Sequence, residues 1–186
     1  MLYVYLFMGL AIIVFVIFWL IGVSNKFKTY KVKIDEAESG IDVALTQRYD
    51  LLTKMFDVTK AYMKHERSTL ESIIKARKPK STDSFEDKQK LSKDMSQALR
   101  EVNITLENYP ELKSNSTVVE LQKAATRVEE NLQSARRIYN SNVSNYNRLL
   151  VVFPSSLIAK IQKREEEKFF EADEVKRDDI SFDFES

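Results

Sequence analysis

The first 23 residues constrain this chain more than any other feature, because they contain no charged side chain. A helix of that length is roughly 33 Å long at about 1.5 Å per residue, which is enough to cross the hydrocarbon core of a bilayer. We therefore predict that residues 1–24 form a transmembrane anchor, and that the protein is held in a membrane by a single pass.

A signal peptide, a lipoprotein anchor and a core helix each fit this apolar run less well. A cleaved signal peptide carries basic residues before a shorter apolar stretch, and here no Lys or Arg precedes the run. A lipoprotein anchor needs a cysteine, and the chain has none. A buried core helix is seldom apolar on every side over this length. The aromatic residues Tyr3, Tyr5 and Trp19 lie near the two ends of the run, where the headgroup level of a bilayer favours them.

Four lysines follow the apolar run and predict its orientation: Lys26, Lys28, Lys31 and Lys33. No Lys or Arg lies on the N-terminal side of the run, so the positive-inside rule places the N-terminus outside and the body of the protein in the cytoplasm. The same lysines are candidates for contacts with lipid headgroups, since each basic residue near an anionic surface adds about 1 kcal/mol of attraction.

The composition limits the class of the remaining chain. The 29 basic and 28 acidic side chains nearly cancel, whereas a nucleic-acid-binding protein would carry a clear basic excess. Three glycines and three prolines are few for 186 residues, and they indicate long helices with few tight turns. We predict one helical bundle over residues 25–172 and an acidic, mobile tail over residues 173–186.

Apolar residues at helical spacing predict a first long helix from Ile34 to about Arg77, with a loop over residues 78–87. Gly40 falls inside this helix, but one glycine costs about 1 kcal/mol rather than ending a helix. Whether the first soluble helix is continuous with the membrane helix stays open at this point.

Two further long helices and a short fourth follow. Ser84 is the expected N-cap of the second helix, which should stop near Tyr109 because the next residue is a proline. After a turn, a capping-box pattern at Thr117 starts the third helix, whose apolar stripe runs over residues 121–153. The fourth starts at about Ser156. Such helices bury their stripes on each other, so the predicted fold is all-α, a single-pass transmembrane helix followed by an antiparallel helical bundle.

The sequence offers little for catalysis. His65 is the only histidine and there is no cysteine, so a transition-metal site would have too few ligands. The three glycines are scattered and form no phosphate-binding loop. A serine nucleophile would need a positioned base. We therefore expect no catalytic residue, no metal, no cofactor and no enzymatic activity.

Polar residues accompany the apolar stripe of the third helix, and they are Asn131, Arg136, Tyr139, Asn140, Tyr146 and Asn147. The two Tyr-Asn pairs are seven residues apart and share a face. In the simpler interpretation the tyrosines belong to the core and the asparagines fix the register between helices. In the alternative interpretation these groups bind a ligand between facing helices.

The same two interpretations apply to the first soluble helix, at Asp42, Arg48 and Asp50. Arg48 falls within the apolar stripe, so its charge needs a partner inside the bundle. An acidic residue of the third helix such as Glu130 is the expected partner.

Two blocks of sequence carry a resemblance to a known family. The first block comprises Ile41-Asp42-Val43, Arg48-Tyr49-Asp50-Leu51, Ala61-Tyr62-Met63-Lys64-His65-Glu66 and Ala76-Arg77. The second comprises Glu107-Asn108-Tyr109-Pro110-Glu111-Leu112-Lys113, Leu121-Gln122, Glu130-Asn131, Ala135-Arg136, Tyr139-Asn140, Tyr146-Asn147 and Phe153-Pro154. In this order, and with the N-terminal anchor, they make the chain similar to the LemA family of bacterial membrane-anchored proteins over nearly its whole length.

The resemblance implies a LemA-like four-helix bundle on a single membrane helix in the bacterial cell envelope, with no established enzymatic activity or cofactor. A related branch of the family is associated with the formation of magnetosome membranes, which suggests membrane organisation by analogy. The chain departs from the family at three places. Glu38 stands where the family has Trp, residues 52–54 replace an Ile-Pro-Asn element, and residues 162–164 replace a Gly-Phe element.

Two functions follow as expectations. The first is a non-enzymatic scaffold or adaptor that is anchored in the membrane and acts on an unidentified protein partner or on the lipid bilayer. The second is a membrane-tethered sensor or receptor that binds a small ligand or peptide between the bundle helices. The oligomeric state is left open by the sequence.

Overall fold

The computed structural model describes residues 1–59, 78–80 and 82–171. Within those residues the regular secondary structure is helical, with no strand. The helices are α1 (Leu2–Thr59), α2 (Phe85–Asn108), α3 (Pro110–Lys113), α4 (Ser116–Val151) and α5 (Ser155–Ile161). The predicted all-α fold, in which a long apolar N-terminal helix precedes a helical body, is confirmed.

The predicted membrane helix and the first helix of the body are continuous and together form α1. It runs without a break through 58 residues, which is about 87 Å of helix at the usual rise. Its N-terminal part is long and apolar enough to cross a membrane, and the large side chains there are mostly exposed. The boundaries predicted at residues 24 and 172 stay predictions. The predicted continuation of the helix to Arg77 and the acidic tail lie outside the described residues.

The start of α2 confirms Ser84 as a helix cap. The Asp87 N–H donates to Ser84 Oγ at 3.1 Å, and the Ser84 N–H donates to Asp87 Oδ2 at 3.3 Å. These reciprocal bonds form a capping box, which satisfies two of the donors that a helix N-terminus leaves without an internal partner. The helix ends at Asn108, as the following Pro110 requires.

Two local predictions were wrong. Residues 110–113 form the short helix α3 instead of a turn, because a proline at the first helical position has a suitable φ and lacks only an N–H that would be unpaired anyway. Thr117 does not cap the third helix, since α4 already begins at Ser116. The Thr117 N–H donates instead to Oδ1 of Asn115 at 2.9 Å, so Asn115 acts as the capping side chain.

The chain divides into two compact units, of which the first comprises residues 1–38 and 137–169. In this unit α1 and α4 are antiparallel, because Phe27 contacts Tyr146 edge to face at 5.7 Å while Asn142 Nδ2 donates to the Lys33 carbonyl at 3.1 Å. Its buried apolar side chains are Val23, Phe27, Ile34, Ala37, Tyr139, Val143, Tyr146, Ile158 and Ala159.

The described residues of the second unit lie within 39–136 and 170–186. In this unit Asp42 pairs with Lys88, and Arg48 contacts Ser92. Residue numbers rise together in these two contacts, so α1 and α2 run parallel here. Its buried apolar side chains are Ile41, Ala44, Leu45, Leu51, Leu52, Met55, Leu91, Met95, Ala98, Val102, Leu106, Leu112, Val118, Leu132 and Phe170.

The predicted apolar stripe of the third helix is correct in its centre and wrong at its end. Leu132, Tyr139, Val143 and Tyr146 are buried, but Phe153 is 75% exposed. Helix α4 stops at Val151, so helical spacing no longer determines where residue 153 lies.

Candidate functional site

In the first unit Asn147 binds the main chain of the segment that follows α5. Its Oδ1 accepts a hydrogen bond from the Glu167 N–H at 3.0 Å, and its Nδ2 donates to the Glu167 carbonyl at 2.9 Å. Residues 164–171 have no regular secondary structure, so their backbone groups need partners outside a helix. Asn147 supplies both partners for Glu167.

Tyr139 binds the next residue of the same segment. Its phenol donates to the Lys168 carbonyl at 3.2 Å, and the side chain is buried. Burial raises the pKa of this phenol, and the negative charges of Glu38, Glu167 and Asp35 raise it further. Tyr139 therefore stays a neutral hydrogen-bond donor over the physiological pH range.

Glu167 also pairs with the first helix through its carboxylate. Its Oε1 lies 2.6 Å from Lys31 Nζ, and Asp35 lies 3.8 Å from the same nitrogen. Partial burial lowers the pKa of Lys31, but the hydrogen bond and charge of Glu167, with the charge of Asp35, outweigh it, and the pKa is raised above its ordinary value. The ammonium group thus stays charged in this pair.

The predicted Tyr and Asn residues of the third helix are therefore only partly brought together. Tyr139, Tyr146 and Asn147 lie in the first unit, where Tyr146 packs on Phe27 and the other two bind residues 167 and 168. Asn140 is half-buried in that unit, and Asn131 is exposed in the second unit. Tyr139 and Asn147 thus bind a segment outside the helices, and both the register-fixing and the ligand-binding interpretations stay predictions.

A buried polar cluster lies in the second unit around Arg48. Arg48 Nη2 lies 3.0 Å from Glu129 Oε2, and Nη1 donates to the Ser92 carbonyl at 3.2 Å. The expected partner, Glu130, was the wrong acid, because it is exposed on α4 whereas Glu129 is turned toward Arg48. Adjacent helical residues point about 100° apart, which separates these two carboxylates.

Arg136 and Lys88 extend this cluster. Arg136 Nη2 donates to Ser92 Oγ, and its guanidinium lies 5.0 Å above the ring of Phe170 in a cation–π contact. Lys88, which is buried, pairs with Asp42 Oδ2 at 2.8 Å. Ser92 thus accepts from two guanidinium groups, one at its hydroxyl and one at its carbonyl.

Several members of these clusters were not predicted from the sequence, namely Lys88, Ser92, Glu129 and Glu167. For Lys88 and Ser92 a signal was present. Lys88 lies three residues before Leu91, and Ser92 lies three residues before Met95, so both fall on the buried face of α2. A buried lysine on an apolar face needs an acidic partner. For Glu167 no local signal exists, because it lies outside any helix.

A groove of about 700 Å³ opens in the second unit beside this cluster. Its walls carry three basic side chains, three acidic side chains and several amides on α1, α2, α3 and α4. The lining residues include Arg48, Arg100, Lys113, Glu107, Glu129, Glu130, Asn103, Gln122, Ala125 and Gln133. Leu99 and Leu106 also line the groove, so its walls combine charged and amide groups with apolar surface.

The four lysines after the apolar run are all exposed in the first unit. Lys31 belongs to the pair with Glu167, and Lys33 lies 5.6 Å from the centre of the Tyr30 ring. Lys26 and Lys28 precede both of them on α1 and lie nearer to the apolar segment. Contact of any of these lysines with lipid headgroups stays a prediction.

Potential metal ligands are dispersed over the described part of the chain. No group of three or more His, Cys, Asp or Glu side chains that could hold a metal ion occurs in residues 1–59, 78–80 and 82–171. The single histidine, His65, lies outside those residues.

Similarity to known proteins extends over most of this chain. A model of the LemA family matches residues 37–184, which include nearly all of its helical body. The chain belongs to the LemA family. A LemA protein of Metamycoplasma hominis is 24% identical to it over 162 residues, which cover 86% of this chain and 74% of the relative. The resemblance predicted from the two sequence blocks is therefore confirmed. Both Tyr-Asn pairs of the present chain lie within the region that the family model matches.

Proposed function

We propose that this LemA protein is a non-enzymatic, membrane-anchored scaffold or adaptor of the bacterial cell envelope, with its N-terminus outside and its helical body in the cytoplasm. The observation that carries the proposal is the unbroken helix α1, which continues from the apolar segment into residues that are buried in the helical body. A continuous helix transmits position more rigidly than a flexible linker, so the body would be held at a defined place on the membrane.

The internal use of the polar side chains supports the same proposal. Tyr139 and Asn147 are bound to the main chain of residues 167 and 168, and Arg48 is bound to Glu129 and Ser92. Groups that satisfy each other in this way hold a unique arrangement of the helices, which suits a protein that presents a fixed surface. The partner would then bind on the outside of the body.

The orientation is tested with a single cysteine at Ser186, since the natural chain has no cysteine. Intact cells are treated with a membrane-impermeant maleimide before and after lysis. We expect labelling only after lysis, because the lysines after the apolar run favour a cytoplasmic body. A cysteine at Leu2 is the matched control and should label in intact cells. Labelling of Ser186→Cys in intact cells would contradict the proposed orientation.

The scaffold function is tested by photo-cross-linking in cells. Val43 and Ile104 are large apolar side chains of the second unit that are more than half exposed, so they are candidates for contact with a protein partner. A photoreactive residue at either position should give discrete cross-linked products. The same residue at Gln47, an exposed polar position of α1, is the control. Absence of discrete products from both apolar positions in several growth conditions would contradict a scaffold that acts on a protein.

One observation favours the second candidate, a membrane-tethered sensor. The groove in the second unit, rather than the Tyr and Asn groups, offers room for a small ligand or peptide. A thermal-shift screen of the full chain in detergent would find such a ligand. Ala125→Phe should then abolish the shift because Ala125 lines the groove, whereas Ala124→Phe, which alters the neighbouring half-buried alanine, should retain it. A screen without a hit would contradict the sensor.

A further inference from the structure

The turn between α4 and α5 carries a group of apolar side chains that the core of the first unit does not bury. They are Val151, Val152, Phe153, Leu157 and Ile161, which we call the apolar corner. Phe153 and Ile161 are 75% and 79% exposed. Five large apolar side chains within eleven residues are more than the scattered exposed residues normal for a protein surface, and such patches indicate an interaction site.

The position of the apolar corner along α1 follows from contacts within the first unit. Tyr146 contacts Phe27, and from there α4 continues for five residues toward the N-terminal end of α1. That distance is about 7.5 Å, so Val151 lies at the level of Gly22. At the other end of the corner, Gln162 Nε2 donates to Ser24 Oγ at 3.2 Å. The apolar corner therefore lies beside the last turns of the uncharged run of residues 1–23.

The charge of the side chains around the apolar corner changes along α1 with distance from the apolar run. Exposed basic side chains lie beside it and just beyond it, at Arg148, Lys160, Lys26 and Lys28. Acidic side chains follow in the segment after α5, at the exposed Glu165 and Glu166 and at Glu167, which pairs with Lys31 farther along α1. Apolar groups at the deepest level, then basic groups, then an acidic group is the order that a bilayer with anionic headgroups favours.

We propose that the apolar corner inserts into the same leaflet that α1 enters, as a second and non-spanning contact with the membrane. This inference rests on the proposed membrane insertion of α1. The occupant of the corner is lipid, because α1 already holds these side chains at the level of the bilayer and a separate protein partner would have to enter that leaflet. Two contacts on one side of the first unit fix its tilt relative to the membrane, which one helix alone leaves free to vary.

The chain offers a direct depth measurement, since it has one tryptophan and no cysteine. Single-cysteine variants Phe153→Cys and Ile161→Cys of the full chain are labelled with an environment-sensitive fluorophore and placed in vesicles of phosphatidylcholine and phosphatidylglycerol. Quenching is measured with nitroxide-bearing lipids and with aqueous iodide. Ile138→Cys is the matched control, because Ile138 is also apolar and exposed but lies about 20 Å farther along α4.

We expect lipid nitroxides to quench the probes at 153 and 161 severalfold more than the probe at 138, and iodide to show the opposite order. Trp19 reports α1 in the same samples. Quenching of Trp19 by lipid nitroxides, together with iodide quenching of the probes at both 153 and 161, would overturn the inference and leave the anchor intact. Failure of lipid nitroxides to quench Trp19 would overturn the proposed anchor and the inference with it.

Discussion

Asn147 and Glu167 are joined through both polar groups of the Glu167 backbone, although twenty residues separate them in sequence. An amide side chain can supply one donor and one acceptor at once, and here it replaces the partners that a helix or sheet would provide. These two hydrogen bonds hold Glu167, in the segment after α5, beside Asn147 of α4. Tyr139 continues this attachment one residue farther, at Lys168.

Asn147→Ala should destabilise the protein by about 1–3 kcal/mol, because it removes two hydrogen bonds and leaves part-buried backbone groups without those partners. The measurement is urea unfolding of the full chain in mild detergent, followed by circular dichroism. Asn131→Ala is the control, since Asn131 is exposed and its loss should change the free energy of unfolding by less than about 0.5 kcal/mol. Equal effects of the two substitutions would show that the Asn147 contacts contribute nothing.

Glu129→Gln should destabilise the second unit because it removes a carboxylate that pairs with the buried guanidinium of Arg48. Loss of one member of a buried pair is strongly unfavourable, but Glu129 is about one-third exposed, so we expect about 1–3 kcal/mol. The neighbouring substitution Glu130→Gln is chemically identical and should be nearly neutral. Thermal unfolding of both variants in the same detergent decides between them, and a larger effect at Glu130 would refute the observed pairing.

We expect the protein to lose stability at alkaline pH because Tyr139 ionises there. Its pKa is raised in the folded protein, so its contribution is fully present below the ordinary phenol pKa of about 10 and is lost as the pH rises above that value. Tyr139→Phe should cost about 1 kcal/mol at neutral pH through the lost hydrogen bond to Lys168. The variant should then lose less stability than the natural protein between about pH 9 and pH 12. Parallel stability curves over that range would refute the assignment.

Phe27 and Phe153 provide a matched pair of phenylalanines in the first unit. Phe27 is fully buried, contacts Tyr146 and lies under the guanidinium of Arg164 at 4.9 Å, so Phe27→Ala should cost about 3–5 kcal/mol. Phe153→Ala should change stability in detergent by less than about 0.5 kcal/mol, because Phe153 has few protein contacts to lose. Unfolding of both variants measured side by side tests this difference, and a large cost at Phe153 would show that the protein buries it.

Local patterns predicted the helical elements well where one residue type decides the outcome. Ser84 caps α2 and Pro110 ends it, since a hydroxyl acceptor and a missing N–H act within one turn of the chain. The same local reasoning failed at Thr117, because Asn115, two residues earlier, is an equally suitable capping side chain and the structure uses it instead.

The sequence predicted that the buried charge of Arg48 pairs with an acid, but it did not predict which acid. Arg48 on an apolar stripe required an acid, but the choice between Glu129 and Glu130 depends on the rotation of α4 about its own axis. The three places where the chain departs from its family illustrate the same limit. Gln162 and Arg164, which stand in one of them, bind Ser24 and stack on Phe27, and no local pattern indicates either contact.

The sequence alone therefore determined the all-α class, the apolar N-terminal helix, most of the buried stripe and membership of the LemA family. These properties follow from the spacing and type of residues that are close in sequence. Only the tertiary structure decided that Glu129 pairs with Arg48, that Asn147 binds Glu167, and that Phe153 is exposed beside the end of the apolar run. Those outcomes depend on how helices are rotated and aligned against each other, which arises from packing over the whole unit.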